Sequence, residues 1–334
     1  MKSARRAVID IGTNSVKLLV ARVTGWELVP LVEDSRQTRL GQGFYDTHRL
    51  RPEAIRRTAE AVAQFARMAR KHRPERIRVI ATSAARDAKN HRALTRAIHR
   101  ASGLPVEIIS GELEADLAFH GVTTDRRLAR TPLLLLDVGG GSTEFVLGQG
   151  RRKHFRHSFP LGTVRLLEKL PHSDPPTRRE YLACRRWVRA FLKRHVSRRL
   201  KAELRREARL APGRARVRLV GTGGTATVLA RLHKKLKSFD RAKIEGVRLS
   251  RKQLQAWRER LWRLPLAERL QITGLPKKRG DVILTGVVIY EEIMAGFHFA
   301  SLQVTTRGLR FAALMDWQAV APATRTGAQP PSRP

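Results

Sequence analysis

The sequence predicts an α/β protein of two related domains that face each other across a cleft. One short pattern, Asp-x-Gly-x-x-Ser between two apolar strands, occurs twice, at residues 10–15 and 137–142. A pattern repeated within one chain indicates an internal duplication that yields two similar folding units. The length of 334 residues is also sufficient for two domains with separate cores.

The second hairpin shows why the pattern suits a phosphorylated ligand. Leu133–Leu136 form an unbroken apolar run, typical of a strand buried on both faces. Asp137 ends the run, and Gly139, Gly140 and Gly141 make a turn that β-carbons would obstruct. Such a turn offers backbone N–H groups to an anion, and Asp137 and Glu144 on either side can hold a hard cation. Taken alone, the pattern fits equally well a tight hairpin whose acids face water.

The first hairpin has the same organisation near the N-terminus. Asp10, Gly12 and Ser15 correspond to Asp137, Gly139 and Ser142 in the second hairpin. A polyphosphorylated ligand would then lie between two opposed anion-binding turns. This paired arrangement resembles the superfamily of actin, the sugar kinases and the large ATP-dependent chaperones. The residues predicted to bind phosphate in the two turns are Gly12, Thr13, Asn14, Ser15, Gly139, Gly140, Gly141 and Ser142.

The net charge is the unusual feature of the composition. Lysine and arginine total 67 against 29 acidic residues, a formal charge of +38. Such a field attracts polyanions in a salt-dependent way. Nucleic acid, the ribosome, inorganic polyphosphate and anionic lipid all qualify, and an arginine-rich coding bias is a further explanation. The arginines concentrate in residues 177–218, which are predicted to be mostly helical and fit either a solvated face or a binding surface.

The sequence predicts a cytoplasmic protein without a membrane partner. No stretch approaches the roughly 20 apolar residues that a membrane-spanning helix needs. Asp10 and Asn14 interrupt the apolar part of the N-terminus, which therefore lacks the layout of a signal peptide. The one cysteine, Cys184, leaves no internal disulfide possible.

In the first half of the chain, a glutamate stands out at a strand-to-helix junction. Apolar spacing predicts the following elements after the first hairpin: a strand over 26–32, a helix opening at Pro52, a strand over 77–81, a polar segment over 82–90, a helix over 91–102, a strand over 106–109 and a helix over 112–120. Glu112 and Glu114 then lie in the first turn of a helix at a strand's carboxyl end, where ligands of α/β sheets gather. The helix dipole also favours glutamate there, an explanation we prefer for Glu112. Spacing alone does not decide the role of Glu114.

The second half of the chain contains a third glycine-rich strand exit. A strand over 217–220 leads into Gly221-Thr222-Gly223-Gly224-Thr225 and then a helix, an arrangement that suits phosphate. The spacing matches neither a Walker loop nor the dinucleotide fingerprint. Further elements are predicted as a helix capped by Ser250, an apolar helix over 281–297, a strand over 302–305, a last helix over 308–317 and a disordered tail over 319–334.

Five segments, in order along the chain, resemble the motifs of the exopolyphosphatase/guanosine pentaphosphate phosphohydrolase family. They are residues 10–15, 81–90, 109–115, 137–144 and 221–225, and the likeness covers about residues 5–318. The resemblance implies two actin-like (ribonuclease H-like) domains, 1–128 and 129–318, with the active site between them and the last helix packed back on the first domain. Two departures from the family are Leu113, where a second glutamate is common, and Gly308-Leu-Arg-Phe-Ala312 in place of Gly-Leu-Arg-Glu-Gly.

The resemblance also implies roles for particular residues. Glu114 matches the catalytic glutamate of the family. Asp10, Asp137 and Glu144 would place a divalent metal, magnesium or manganese. The remaining residues predicted to bind phosphate or line the cleft are Arg86, Asn90, Gly221, Thr222, Gly223 and Gly224.

The function that follows is metal-dependent, processive hydrolysis of the terminal phosphate of inorganic polyphosphate. Guanosine pentaphosphate is the alternative substrate, because the same site would accept its terminal phosphate. A polyphosphate- or RNA-binding protein with vestigial hydrolysis is a rival of another class, against which the intact Asp10, Glu114, Asp137 and Glu144 argue. Incidental nucleic-acid binding through the basic surface and a homodimer are compatible with the sequence.

Overall fold

The computed structural model describes residues 3–210 and 216–315, which are arranged around two β-sheets. The first sheet has the spatial order β3-β2-β1-β4-β5. Its strands are β1 (Ala4–Ile11), β2 (Ser15–Thr24), β3 (Glu27–Gln37), β4 (Arg76–Ala81) and β5 (Glu107–Ile108).

The second sheet has the order β10-β11-β9-β6-β7-β8. Its strands are β6 (Leu133–Val138), β7 (Thr143–Gln149), β8 (Arg152–Phe159), β9 (Arg218–Thr222), β10 (Arg248–Ser250) and β11 (Ser301–Val304).

The two sheets repeat one topology. In each, an antiparallel three-stranded meander is extended by a strand parallel to the meander's first strand: β4 beside β1, and β9 beside β6. A further parallel strand follows, β5 in the first sheet and β11 in the second. The predicted internal duplication is therefore confirmed at the level of strand order. Because the first turn of each meander leads out of a central strand, both turns lie at the carboxyl edge of their sheet.

Helices cover both faces of the sheets. In the first half they are α1 (Pro52–Arg70), α2 (Ser83–Arg86), α3 (His91–Ser102), α4 (Gly111–Val122) and α5 (Arg126–Ala129). In the second half they are α6 (Thr163–Lys169), α7 (Arg178–Phe191), α8 (Ser197–Leu210), α9 (Gly223–Lys234), α10 (Arg241–Ile244), α11 (Arg251–Arg263), α12 (Leu266–Arg269), α13 (Ile283–Gly296) and α14 (Leu309–Ala313). A π-helical turn, Leu192–Val196, joins α7 to α8, and a 3₁₀ turn spans Lys277–Arg279.

Helix α4 is packed between the two sheets. Leu117 belongs to the apolar cluster formed by the first sheet and α14, whereas Ala118 and Phe119 pack with Leu133 and Leu135 of the second sheet. A helix that is apolar nearly all round is expected to be buried in this way. A β-carbon at Gly121 would lie 1.9 Å from the carbonyl oxygen of Gly308, so a glycine is needed where α4 meets the chain entering α14. Each side of the cleft thus contacts α4, the helix that carries Glu114 in its first turn.

Most predicted elements are present, with a few local differences. The polar segment 82–90 contains the short helix α2, and the strand predicted over 106–109 is only Glu107–Ile108. The helical region starting at residue 177 is confirmed as far as Leu210, and the last helix is Leu309–Ala313. The predicted end of that helix and the tail 319–334 lie outside the described residues. The division into residues 1–128 and 129–318 stays a proposal.

Among the helices of the described residues, none is both long and apolar enough to cross a bilayer.

Candidate active site

The turns of the two hairpins have matching geometry and touch each other. The Gly12 N–H donates to the Ser15 carbonyl at 3.0 Å, and the Gly139 N–H donates to the Ser142 carbonyl at 2.9 Å. A β-carbon at Gly140 would lie 2.9 Å from the β-carbon of Thr13, which shows how closely the turns approach. The structure therefore brings the two predicted phosphate-binding turns together, as the duplicated motif suggested.

Strand register sets a different charge beside each turn. Asp137 lies directly across the β6–β7 pair from Glu144, and Asp10 lies directly across the β1–β2 pair from Lys17. Lys17 thus occupies the position in the first hairpin that Glu144 occupies in the second. The sequence analysis missed Lys17, although it stands seven residues after Asp10, as Glu144 stands seven after Asp137.

Asp10 and Asp137 share one electrostatic environment. Burial raises the pKa of both carboxyl groups above their usual range, while the positive charges of Lys17 and Arg310 oppose the rise. The charge of Asp10 raises the pKa of Asp137 further. Burial lowers the pKa of the Lys17 ammonium, against the attraction of Asp10 and Asp137. The two aspartates therefore form an acidic pair that favours a nearby cation.

Glu114, in the first turn of α4, is held by Arg86 of α2. Nη1 of Arg86 donates to Oε2 of Glu114 at 2.9 Å, and the glutamate side chain is only 12% exposed. Burial raises the pKa of Glu114 to about 7 against the opposing charge of Arg86, and Asp137 and Asp10 raise it further. A carboxyl group with this pKa exchanges a proton readily near neutral pH, which a general base requires.

Glu144 lies deeper than Glu114. It is 1% exposed, and Oε1 accepts a hydrogen bond of 2.7 Å from the Ser158 hydroxyl on β8. Burial raises the pKa of Glu144 well above its usual value, and the charges of Glu114 and Asp137 add to the rise. Four acidic side chains, Asp10, Glu114, Asp137 and Glu144, therefore influence one another at the cleft.

The start of α4 is fixed against the second sheet by packing and ion pairs. A β-carbon at Gly111 would lie 2.7 Å from the β-carbon of Ser158, so α4 and β8 are in close contact there. Asp116, one half-turn beyond Glu114, pairs with Lys153 and Arg156 of β8. These contacts hold Glu114 in place relative to Glu144. They join residues far apart in the chain, so the sequence did not predict them.

The glycine-rich exit after β9 contributes mainly Gly223. Its φ of +78° is a conformation that favours glycine, and a β-carbon there would lie 2.1 Å from Oδ1 of Asp137. Gly221, in contrast, lies within β9 and packs against Leu302 and Tyr290, and the Thr222 hydroxyl donates to the Arg307 carbonyl. Gly221 is therefore a packing residue, while Gly223 lets the third loop approach the acidic pair.

Two cavities border the hairpins. One, of about 580 Å³, is lined by Asp10, Ser15, Asp137, Gly223 and Gly224 together with cationic side chains of the second half of the chain. The other, of about 330 Å³, is lined by residues from both halves of the chain. They are Ser83, Arg86, Asp87, Ser110, Gly111, Glu112, Ser142, His157, Ser158, Phe159, Pro160 and Arg165.

Asn90, predicted to line the cleft, is committed elsewhere. Its Oδ1 accepts from the Leu50 N–H at 2.8 Å, and its Nδ2 donates to the Leu50 carbonyl at 2.9 Å. The amide therefore pins the loop ahead of α1, and its expected place in the cleft stays a prediction. Arg165, which sequence reasoning missed, donates from Nε to the Gly141 carbonyl at 2.8 Å.

The predicted metal ligands do not form a preassembled cage. Within the described ranges, no group of three or more acidic, histidine or cysteine side chains is close enough together to hold one ion. Magnesium, however, commonly uses one or two carboxylates plus substrate phosphates instead of an all-protein site. The partly buried oxygen donors of Asp10 and Asp137 fit that mode.

The fold is that of the two-domain, actin-like phosphoanhydride hydrolases, so the predicted fold class is confirmed. The chain belongs to the Ppx/GppA phosphatase family, whose model matches residues 19–319. It is 37% identical over 302 residues to Exopolyphosphatase 2 of Mycobacterium tuberculosis, covering 88% of this chain and 91% of that protein.

Solved structures agree with this assignment. The Aquifex aeolicus member of the Ppx/GppA family is 30% identical with a TM-score of 0.73, over 94% of this chain and 97% of that one. An exopolyphosphatase from Cytophaga hutchinsonii is 25% identical with a TM-score of 0.80, over 93% of this chain and 96% of that one.

Proposed function

We propose that the protein is an exopolyphosphatase that hydrolyses the terminal phosphate of inorganic polyphosphate. The observation that supports this best is a buried glutamate with a pKa of about 7, held by an arginine at the cleft where two phosphate-type turns meet. The name of the Mycobacterium tuberculosis relative and the charge of +38 favour a polymeric phosphate as substrate.

The reaction needs a positioned water and a neutralised phosphoryl group. Glu114 takes a proton from a water, whose oxygen attacks the terminal phosphorus in line. The bond to the bridging oxygen breaks, and the products are orthophosphate and a chain one unit shorter. Arg86 keeps the Glu114 carboxylate oriented, and backbone N–H groups of the turns stabilise the non-bridging oxygens. Magnesium or manganese, held by Asp10 and Asp137, would supply Lewis-acid charge when bound.

Guanosine pentaphosphate is the second candidate substrate. The larger cavity includes the apolar side chains of Val228, Phe239 and Phe311 beside its charged ones, a surface that a bare phosphate chain does not require. A nucleoside could use these apolar contacts, whereas polyphosphate could not.

Phosphate release on three substrates tests the proposal. Long-chain polyphosphate, tripolyphosphate and guanosine pentaphosphate should be compared on one preparation at equal ionic strength. We expect kcat/KM to be highest for long-chain polyphosphate, since a long chain meets more of the positive field. A preference for guanosine pentaphosphate would assign the nucleotide function instead. Binding of polyphosphate without release of phosphate would favour the vestigial enzyme.

Two arginines of the basic helical region 177–218 form ion pairs with a buried acid. Nε of Arg185 and Nε of Arg189 bond the two oxygens of Glu292, at 2.6 and 2.9 Å, and Glu292 is only 2% exposed. Reversing either arginine would leave a buried acid facing another negative charge, a structural loss unrelated to ligand binding. Arg186, Arg194 and Arg198 are exposed. They are therefore suitable for testing whether the basic helices bind the polyphosphate chain along a surface that we call the polymer track.

We expect the triple variant Arg186→Glu, Arg194→Glu and Arg198→Glu to weaken the use of long polyphosphate and to leave tripolyphosphate turnover nearly unchanged. The salt slope of log KM for the long chain should fall by on the order of one for each phosphate that the variant no longer neutralises. The matched control reverses Arg92, Arg96 and Arg100, three exposed arginines on α3, with the same change in net charge. Equal salt slopes for long and short substrates in the unmodified protein would rule out the track.

A further inference from the structure

The loop between β3 and α1, residues 38–50, is bound to the first hairpin. The N–H groups of Thr38 and Arg39 donate to the Asn14 carbonyl at 3.2 and 3.0 Å, and the Gly41 N–H donates to the Thr13 carbonyl at 2.8 Å. This loop, which we call the 38–50 loop, therefore extends the first predicted phosphate-binding turn.

Helix α6 of the proposed second domain contacts the same loop from the other side. Glu168 on α6 accepts the Gly43 N–H at 2.6 Å through Oε1 and the Tyr45 N–H at 3.4 Å through Oε2. The guanidinium of Arg165 lies 4.3 Å from the centre of the Tyr45 ring while its Nε donates to the Gly141 carbonyl. Arg165 thus links the tyrosine ring to the second predicted phosphate-binding turn.

Three hydroxyl groups from the first domain converge on that turn. A β-carbon at Gly141 would lie 2.4 Å from Oγ of Ser83, 2.6 Å from Oη of Tyr45 and 2.8 Å from Oγ1 of Thr13. Ser83 is 2% exposed and also lines the smaller cavity beside Arg86. In the described part of the chain the buried Ser83 hydroxyl has no hydrogen-bond partner, and the buried Tyr45 hydroxyl interacts with the Thr13 hydroxyl without a hydrogen bond of good geometry.

Two buried donors, one unpaired and one poorly paired, at an anion-binding turn need a physical explanation. Leaving a buried hydroxyl without a partner costs folding free energy, so such groups are usually paired. Burial raises the pKa of the Tyr45 phenol, which therefore stays protonated and able to donate. The non-bridging oxygens of a phosphate unit are acceptors, and they would pair both hydroxyls at once.

We propose that the hydroxyls of Tyr45 and Ser83 donate hydrogen bonds to the phosphate unit held at Gly139–Ser142, and that they are substrate-binding residues of this enzyme. The inference rests on the proposed function. It adds that the 38–50 loop completes the phosphate site across the domain boundary, because Glu168 and Arg165 of the second domain hold Tyr45 of the first in place.

The test uses Tyr45→Phe and Ser83→Ala, which remove only the hydroxyls. Phenylalanine keeps the ring beneath Arg165, and the backbone bonds to Glu168 are unaffected. Each variant should lower kcat/KM for polyphosphate by about 10-fold or more, as expected for a hydrogen bond to a charged group. The inhibition constant of orthophosphate should rise in parallel. The matched control is Thr58→Val on α1, which removes another buried hydroxyl without a partner, away from both cavities.

The outcomes separate this inference from the proposed function. If the unmodified protein hydrolyses polyphosphate and both variants match it in kcat/KM and in phosphate inhibition, the hydroxyls do not bind substrate, although the function stands. If the unmodified protein fails to hydrolyse polyphosphate, calorimetric binding of orthophosphate still tests the hydroxyls: weaker binding in both variants supports the inference, and unchanged binding overturns it. A similar loss in Thr58→Val would assign the effect to general destabilisation and overturn it too.

Discussion

Glu114→Gln should lower polyphosphate hydrolysis by two or more orders of magnitude while the protein still folds and binds its substrate. Loss of a positioned general base typically costs about 10²–10⁴ in rate. Glutamine keeps the volume of the side chain and an oxygen that can accept from Arg86, so the 2.9 Å contact has a replacement. Phosphate release and polyphosphate binding should be measured on the same preparation.

The pH dependence provides a second readout for Glu114. The base acts as a carboxylate, and its pKa is raised to about 7, mainly by burial. We therefore expect kcat/KM to fall about tenfold per pH unit below 7, and Glu114→Gln should lose this limb of the profile. Between the usual pKa of 4.5 and about 7, the folded state holds more protons on Glu114 than the unfolded chain does. Stability contributed by this group is thus lost as the pH rises through that range, and the glutamine variant should be no less stable at pH 8.

Glu112→Gln is the matched control for that experiment. Glu112 lies in the same helical turn, but it is exposed and pairs with Arg156 at 2.9 Å. Its loss should change activity little. Near-normal turnover of Glu114→Gln, or an equal loss in Glu112→Gln, would remove Glu114 as the base.

Asp137→Asn should raise the magnesium concentration needed for half-maximal activity by at least about 10-fold, because even outer-shell partners of a metal contribute that much to affinity. Asp137 and Asp10 lie at the cleft, and the pKa of each is raised because burial makes its charge costly, against the opposing charges of Lys17 and Arg310. A β-carbon at Gly223 would lie 2.1 Å from Oδ1 of Asp137, so this carboxylate is in close contact with the third loop. Activity should vanish with a chelator and return with magnesium.

Asp46→Asn, an acid on the exposed part of the 38–50 loop, should leave the magnesium titration unchanged. Full activity of the unmodified protein in excess chelator would show that Lys17 and Arg310, which already face the two aspartates, suffice as counter-charges.

The features that depend on local sequence were predictable. A glycine turn between two apolar strands has few alternative conformations, so both hairpins and their equivalence follow from the pattern at Asp10 and Asp137. The first turn of α4 was also accessible, because Ser110 accepts the Leu113 N–H as a helix cap. The strand order then follows from duplication.

The features that depend on distant contacts were not predictable from spacing. Asn90 has the residue type of a ligand, yet its amide bonds Leu50, and a motif does not state where a side chain points. In the sequence, Arg185 and Arg189 have the pattern of solvated charges, but in the structure both pair with the distant Glu292. Tyr45 lies in no recognised motif, and its ring reaches Gly141 only through contacts between distant parts of the chain.

The opposite charges of Lys17 and Glu144 have a consequence for the direction in which a polyphosphate chain moves through the site. A linear polyphosphate reads the same from either end, so the substrate itself gives no polarity to its movement. A site with two identical halves could not distinguish forward from backward along such a chain. Among the positions at which the duplicated hairpins differ, this one reverses the charge: a cation lies across from Asp10 and an acid across from Asp137. The asymmetry of the site, and not of the polymer, would then set the direction in which the remainder advances once the bound end has been shortened.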